Sequence, residues 1–350
     1  MSPTTPIECD PPTSGIPAGH SDCGEGVGTE VYRIYRSALL SPQRVRQLSK
    51  LRPWRAVLDT AWMWVVIFLA WGLVAWKPAW WTVVIAIPLV GTRYYGLFII
   101  GHDGMHRRVF NDLRTNDLFC DLFIFGPIGA ITRINNRNHL QHHLHLATEL
   151  DPDRHKHACF NKSTRPEYLV FLSGLASLYP ALRNVFLKKK TQTKATEVAP
   201  RRHYTGRDLM ILLGWQATLV GGLTWAIGWW AYPVLWLFPV YLHAYLGDLL
   251  RSFLEHAHAE SDAKADEHRL ITFSSNPLER IFFAPMNMNY HAVHHLWTSI
   301  PYYNLPVADR EVRALPAAQS LEWRRSYLGF LFHYYLALPL AECRRAAAGS

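Results

Sequence analysis

Two long apolar runs stand close together in the first third of the chain, Val57 to Trp76 and Ala79 to about Ile100. Each is near the roughly 20 residues that a helix needs to cross a bilayer core. Only Lys77 and Pro78 separate them, which predicts a tight helical hairpin. A second pair, Leu209 to Ile227 and Trp230 to about Leu250, repeats the arrangement with a very short, uncharged connection. The expected fold is all-α and integral to a membrane, with four spans in two hairpins. Arg93 lies toward the end of the second run, where a long side chain can snorkel to the interface. Between the hairpins, Asn116 to Ile131 and Tyr168 to Phe186 are apolar but short or broken by Gly and Pro. They read as interfacial or buried helices, not as spans. Lys188 to Arg207 is polar and basic, as an exposed loop would be.

Upstream of the first hairpin, Met1 to about Gly28 is rich in Pro, Gly, Ser and Thr and has no period. It lacks the basic-then-apolar pattern of a secretory signal and reads as a disordered tail. Residues 1–30 are therefore set apart from one membrane domain spanning 31–350. Tyr32 to Arg55 is helical in character and carries seven basic residues, including Arg33, Arg44 and Arg55. That pattern suits a helix lying near anionic headgroups.

Charge orients the hairpins. The connections after the first and third spans hold a single lysine between them. The opposite side collects the N-terminal basic cluster, Arg107, Arg108, Lys188 to Lys190, Arg201, Arg202 and the C-terminal arginines. The excess of basic residues on the cytoplasmic side of membrane proteins places all of these, both chain ends and every histidine cluster in the cytoplasm. Trp76, Trp80, Trp81, Trp229 and Trp230 then form an aromatic belt at the other interface. The net charge of +9 is explained by this asymmetry. No basic amphipathic helix or aromatic-basic signature points to nucleic acid. The five cysteines are odd in number and include no C-x-x-C pair, which argues against a disulfide framework or a thiolate zinc site.

The 18 histidines are grouped. His102 and His106 form an HxxxH pair that continues the second span. Residues four apart on a helix share a face, so both can close on one ion. His139, His142 and His143 form an HxxHH group, and His291, His294 and His295 form another at the same spacing. A ninth candidate, His256, follows the fourth span as His102 follows the second. Eight or nine imidazoles packed together without metal would carry a desolvation and like-charge penalty on any protonation. Ligation by neutral imidazole removes it. Nine exceed the capacity of one ion, so two are expected. Imidazole suits zinc, copper, iron and nickel alike, but a zinc hydrolase needs only three protein ligands, and a pair of redox-active irons fits the count better.

In order and spacing, Val57 to Pro306 resembles the membrane fatty acid desaturase family, which also includes hydroxylases and carotenoid ketolases. The resemblance rests on the three histidine groups, on Asn287 to Pro306 as a third box with a trailing proline-containing loop, and on Arg251 to His256 as an Arg-x-x-x-Glu-His element. Val293 stands where many relatives have Glu, and Thr298 where they have Pro. The resemblance implies four spans with a cytosolic helical cap holding two irons. It implies His102, His106, His139, His142, His143, His256, His291, His294 and His295 as the ligands. Asp103, Asp151, Asp153 and Glu255 are candidates to orient ligating imidazoles, and Asn287 and Asn289 candidates for water-mediated contact. His145, His155, His157, His243, His258 and His268 are left out of the ligand set, with His243 a candidate to line a substrate tunnel.

The implied activity is O2-dependent oxidation of an unactivated C–H bond. Desaturation of a fatty acyl chain is favoured, and hydroxylation or ketolation of an acyl chain, carotenoid or other terpenoid is the alternative. No His-Pro-Gly-Gly haem segment and no clustered cysteines for an iron–sulfur centre are present. Electrons are therefore expected from a separate acidic carrier, a ferredoxin or a b-type cytochrome with its reductase. A metal-handling membrane protein without catalysis is the reading from another class. Transporters, however, place ionisable ligands near the bilayer midplane, and nearly all these histidines lie outside the spans.

Overall fold

The computed structural model describes residues 36–146, 150–153, 156, 164–175, 203–256 and 270–340. The expected N-terminal tail, the 188–202 loop, most of the second interhairpin helix, and His155, His157, His258 and His268 lie outside these residues.

A short helix, α1 (Pro42–Leu48), precedes α2 (Pro53–Trp76) and α3 (Trp80–Met105). The first hairpin turns on Lys77 to Ala79, where Thr82 Oγ1 accepts from Ala79 N–H and donates to the Ala79 and Lys77 carbonyls. Helix α4 (Leu113–Cys120) starts on an Asp112 cap. It continues through a π turn (Asp121–Phe125) and a 3-10 turn (Gly126–Ile128) into α5 (Thr132–Leu144) and, further on, α6 (Arg165–Leu172). The second hairpin is α7 (Gly206–Ala226) and α8 (Pro233–His256). Thr205 and Asp208 cap α7 reciprocally. Gly228, at φ 138°, lets the chain leave α7 while its N–H bonds back to the Leu223 carbonyl. The remaining helices are α9 (Pro277–Phe283), α10 (His291–Leu296), α11 (Leu305–Arg313) and α12 (Tyr327–Ala337). One small parallel sheet, β1 (Ile271–Phe273) with β2 (Glu322–Arg324), joins the segments on either side of α10 and α11.

Four helices, α2, α3, α7 and α8, are long and apolar enough to cross a membrane. Each lies within a few residues of its expected run. Helix α3 outlasts the apolar stretch and carries His102 on its final turns, as the unbroken pattern implied. It ends at His106, where Arg107 takes the left-handed conformation (φ 57°) and the Arg108 N–H reaches the Asp103 carbonyl.

The segment Asn116 to Ile131, expected to be an interfacial or buried helix, is helical to Cys120 and irregular beyond it, with Asp121, Ile124 and Phe125 buried and Phe123 exposed. A π and 3-10 backbone leaves carbonyls without helical partners, and in an apolar setting each needs a donor. Side chains of the spans supply them. Trp64 Nε1–H donates to the Phe123 carbonyl at 2.8 Å and the Tyr94 hydroxyl to Ile124 at 2.6 Å. Trp236 Nε1–H and Gln216 Nε2–H donate to Pro127 at 3.2 and 3.1 Å. The same aromatic rings form the core between the hairpins, Trp64 stacking on Trp215 and Trp236 with centroids 5.6 and 5.9 Å apart. This plug fixes the start of α5 and hence the second histidine group.

Candidate metal centre

Four elements bring the nine histidines to one place. His102 and His106 come from the end of α3, His139, His142 and His143 from α5, His256 from the last residue of α8, and His291, His294 and His295 from α10. One group is His102, His106, His139, His143 and His294; a second is His142, His256 and His295. Within each, one ring nitrogen per residue lies within 4.8 Å of all the others. His291 joins the second group from the side, its Nε2 2.8 Å from His256 Nε2 and 3.0 Å from His295 Nε2. The two groups touch through His143 and His295, whose rings stack at 4.1 Å.

The nitrogen spacing has a chemical reading. His139 Nε2 is 2.8 Å from His106 Nε2 and 3.0 Å from His143 Nε2. A ring nitrogen has one in-plane site, either an N–H or a lone pair, so these contacts are poor hydrogen bonds as a set. Metal–imidazole bonds of about 2.0–2.1 Å at right angles put neighbouring nitrogens about 3.0 Å apart. The buried Nδ1 atoms of His102 and His294 have no hydrogen-bond partner among the described residues, so protein groups alone do not satisfy the cluster. The donor set fits metal ions, and the spacing and count fit two.

Electrostatics agree. Burial, with contributions from His142 and Arg108, lowers His106 to about 3. Burial and neighbouring imidazoles hold His139, His143, His294 and His295 well below the ordinary histidine value. These rings are neutral at pH 7 with lone pairs available. His142 is the exception. Burial lowers it, but the Asp151 carboxylate, 3.1 Å from Nδ1 through both oxygens, outweighs that and raises it. A carboxylate on Nδ1–H fixes the tautomer and makes Nε2 the stronger ligand. Replacing Asp151 by Asn is expected to weaken metal binding and turnover by roughly 10–100-fold, measured as metal retained against a graded chelator.

The other expected supporting residues divide. Asp103 accepts from the Tyr302 N–H at 2.7 Å and so ties the end of α3 to the loop after α10. Asp153 accepts from Lys156 Nζ at 3.1 Å, and its own N–H donates to Asp151. Glu255 accepts from Tyr327 and from Arg251, both at 2.6 Å, and lies 3.7 Å from His291 Nδ1. Asn287 and Asn289 donate to the Tyr302 and Phe273 carbonyls, not to any histidine, and hold the loops around α10. His243 is buried in α8 against α3, where a Cβ on Gly91 would sit 2.1 Å from its Nδ1, and it belongs to neither group.

Sequence reading missed Lys156, Asp248 and Tyr327. Lys156 bridges Asp153 and Asp248, each at 3.1 Å, and Asp248 accepts from Arg251 at 2.8 Å. A signal was present: Asp248, Arg251 and Glu255 recur at helical spacing of three and four. A cavity of about 260 Å³ is lined by His102, His139, His142, His256 and His291, and among its apolar lining are Phe98, Met105, Phe125 and Ile128.

Comparison with known proteins matches this architecture. The fatty acid desaturase family model covers residues 78–327, from the first hairpin turn through Tyr327, and so includes every histidine of both groups. The chain is also similar to an sn-1 acyl-lipid omega-3 desaturase (ferredoxin) from Nostoc sp. (strain 36). The two are 22% identical over 266 residues, which is 71% of this chain and 72% of that protein. With four membrane-length helices and a histidine cluster that could hold metal, this chain belongs to the fatty acid desaturase family and is a membrane oxidoreductase.

Proposed function

We propose that the protein is an O2-dependent oxidase that holds two irons on its nine clustered histidines and introduces a C=C bond into an acyl chain. The observation that carries this reading is the convergence of neutral ring nitrogens from α3, α5, α8 and α10 into two adjoining groups. Desaturation removes one hydrogen from each of two adjacent carbons. With two electrons and two protons from outside, one O2 leaves as two waters.

Bound iron would supply the oxidising power for an unactivated C–H bond. The chain's own residues do the rest. Burial keeps the imidazoles deprotonated, and Asp151 holds His142 in its ligating tautomer. The Glu255, Arg251 and Tyr327 network fixes the end of α8, and with it His256 and the approach of His291. Phe98, Met105, Phe125 and Ile128 exclude water from the cavity flank where a chain would lie.

The charge asymmetry supports a topology with both ends and the histidine centre in the cytoplasm. Arg46, Lys50 and Arg52 are exposed, and Arg108, two residues beyond His106, ties their segment to the end of α3 by donating to the Ser49 carbonyl at 2.8 Å. An acidic electron carrier would dock there, with charge complementarity speeding the encounter. The ferredoxin in the name of the Nostoc relative supports a ferredoxin over a b-type cytochrome with its reductase.

Expression in a defined host, followed by mass spectrometry of lipids and pigments, tests the reading. A product lighter by two hydrogens is expected. A product heavier by one oxygen would make the protein a hydroxylase instead, and folded, iron-loaded protein that consumes no O2 with reductant would contradict an oxidase altogether.

A further inference from the structure

The cavity beside the histidines is not uniformly apolar. Besides those apolar side chains and five of the histidines it is lined by Asn135, Asn138, Ser252, Lys156, Asp248 and Arg251, along with Asp153. Asn135, Asn138, His139 and His142 follow one another at i, i+3, i+4 and i+7 on α5, so the two amides share the face of two candidate ligands. The side chains of Asn135, Asn138 and Ser252 make no hydrogen bond to protein among the described residues, although Ser252 is 7% exposed. The Lys156 ammonium has three N–H donors, of which two are used on Asp153 and Asp248. Amide, hydroxyl and ammonium donors thus line the same small space as hydrocarbon side chains and candidate metal ligands.

Charge narrows what this polar wall suits. Both cations are already paired, Lys156 with Asp153 and Asp248 and Arg251 with Asp248 and Glu255, in a chain of direct ion pairs. A free carboxylate would have to shed its hydration on entering. A neutral carbonyl accepts hydrogen bonds without that penalty. The volume of about 260 Å³ falls at or below the lower end for small-molecule sites, which run from roughly 300 Å³ upward. It holds a head and a few carbons, not a whole long chain.

Building on the di-iron reading, we propose that this cavity receives the carbonyl end of an acyl ester, thioester or amide, so that oxidation falls on carbons near the carbonyl and not far along the chain. The carbonyl faces Asn135, Asn138, Ser252 and Lys156, and the first carbons lie against Phe98 and Met105 beside the histidines.

Photo-crosslinking of the intact iron-loaded protein in lipid nanodiscs tests the proposal. The probes are laurate derivatives with a diazirine either beside the carbonyl or at the methyl end, each prepared as methyl ester, N-acetylcysteamine thioester and free acid. Crosslinks are mapped by peptide mass spectrometry. The carbonyl-proximal ester or thioester is expected to label the Phe98, Met105 and Ile128 wall, with the free acid labelling about tenfold less. Stronger labelling by the ester points to a membrane lipid as the source, and stronger labelling by the thioester to a carrier. Combined Asn135→Leu and Ser252→Ala substitution is expected to cut this labelling about tenfold, as the loss of two neutral hydrogen bonds implies, with iron content unchanged. Labelling of the same wall by the methyl-end diazirine in preference to the carbonyl-proximal one would overturn the proposal. That comparison uses the unaltered protein and does not depend on the variant folding. Iron content and O2 consumption in the same preparation report on the di-iron reading separately.

Discussion

Substituting His294 by alanine is expected to lower turnover by more than about 100-fold and to reduce bound metal toward one ion per chain. The magnitude follows because loss of a group that merely orients a ligand already costs roughly 10–100-fold, and His294 offers the ligand atom itself. It is fully buried, its Nε2 lies 3.3 Å from His143 Nε2, and its ring stands 4.5 and 4.9 Å from those of His102 and His106. Water entering the vacated space would not restore the geometry, because four rings from α3 and α5 face it. His243→Ala is the control. That histidine is similarly buried but stands apart from both groups, so its removal is expected to leave metal content unchanged. Elemental analysis of the two purified variants beside wild type separates a ligand from a buried histidine in general.

Arg251→Met is expected to destabilise the fold by about 3–5 kcal/mol, the usual cost of breaking a buried ion pair from one side. Its guanidinium donates to Glu255, Asp248 and the Tyr95 hydroxyl, and only 4% of its side chain is exposed. Asp248 would keep Lys156, but the buried Glu255 carboxylate would lose its cation and keep the Tyr327 hydroxyl, with His291 Nδ1 3.7 Å away. Adding Glu255→Gln removes that stranded charge and should recover part of the loss, a pattern that thermal unfolding of the single and double variants would expose. If the single substitution were neutral, the network would not be what holds the end of α8.

The hairpins and the nine histidines were legible in the sequence because both rest on local rules. Span length is set by bilayer thickness, and spacings of three and four place imidazoles on one helix face. The supporting groups were less legible because they are long-range. Nothing near Tyr327 indicates that its hydroxyl meets Glu255, 72 positions away, and the bridging role of Lys156 needs α8 to arrive beside the loop after α5. The closeness of Asn287 and Asn289 to His291 in sequence suggested water-mediated contact, but it did not reveal that the turn before α10, with Met286 and Asn287 at positive φ, lets their amides donate to the Tyr302 and Phe273 carbonyls. The irregular plug at 121–128 was visible only as an apolar stretch broken by Gly and Pro. Its stability depends on indole and phenol donors from distant spans.

The central claim is that these histidines hold a pair of irons. Iron quantification together with X-ray absorption at the iron edge, on folded protein that turns over, addresses it directly. The expected result is two irons per chain in a shell of imidazole nitrogens with a second iron scatterer nearby. A single ion per chain, or active protein free of transition metal, would contradict it.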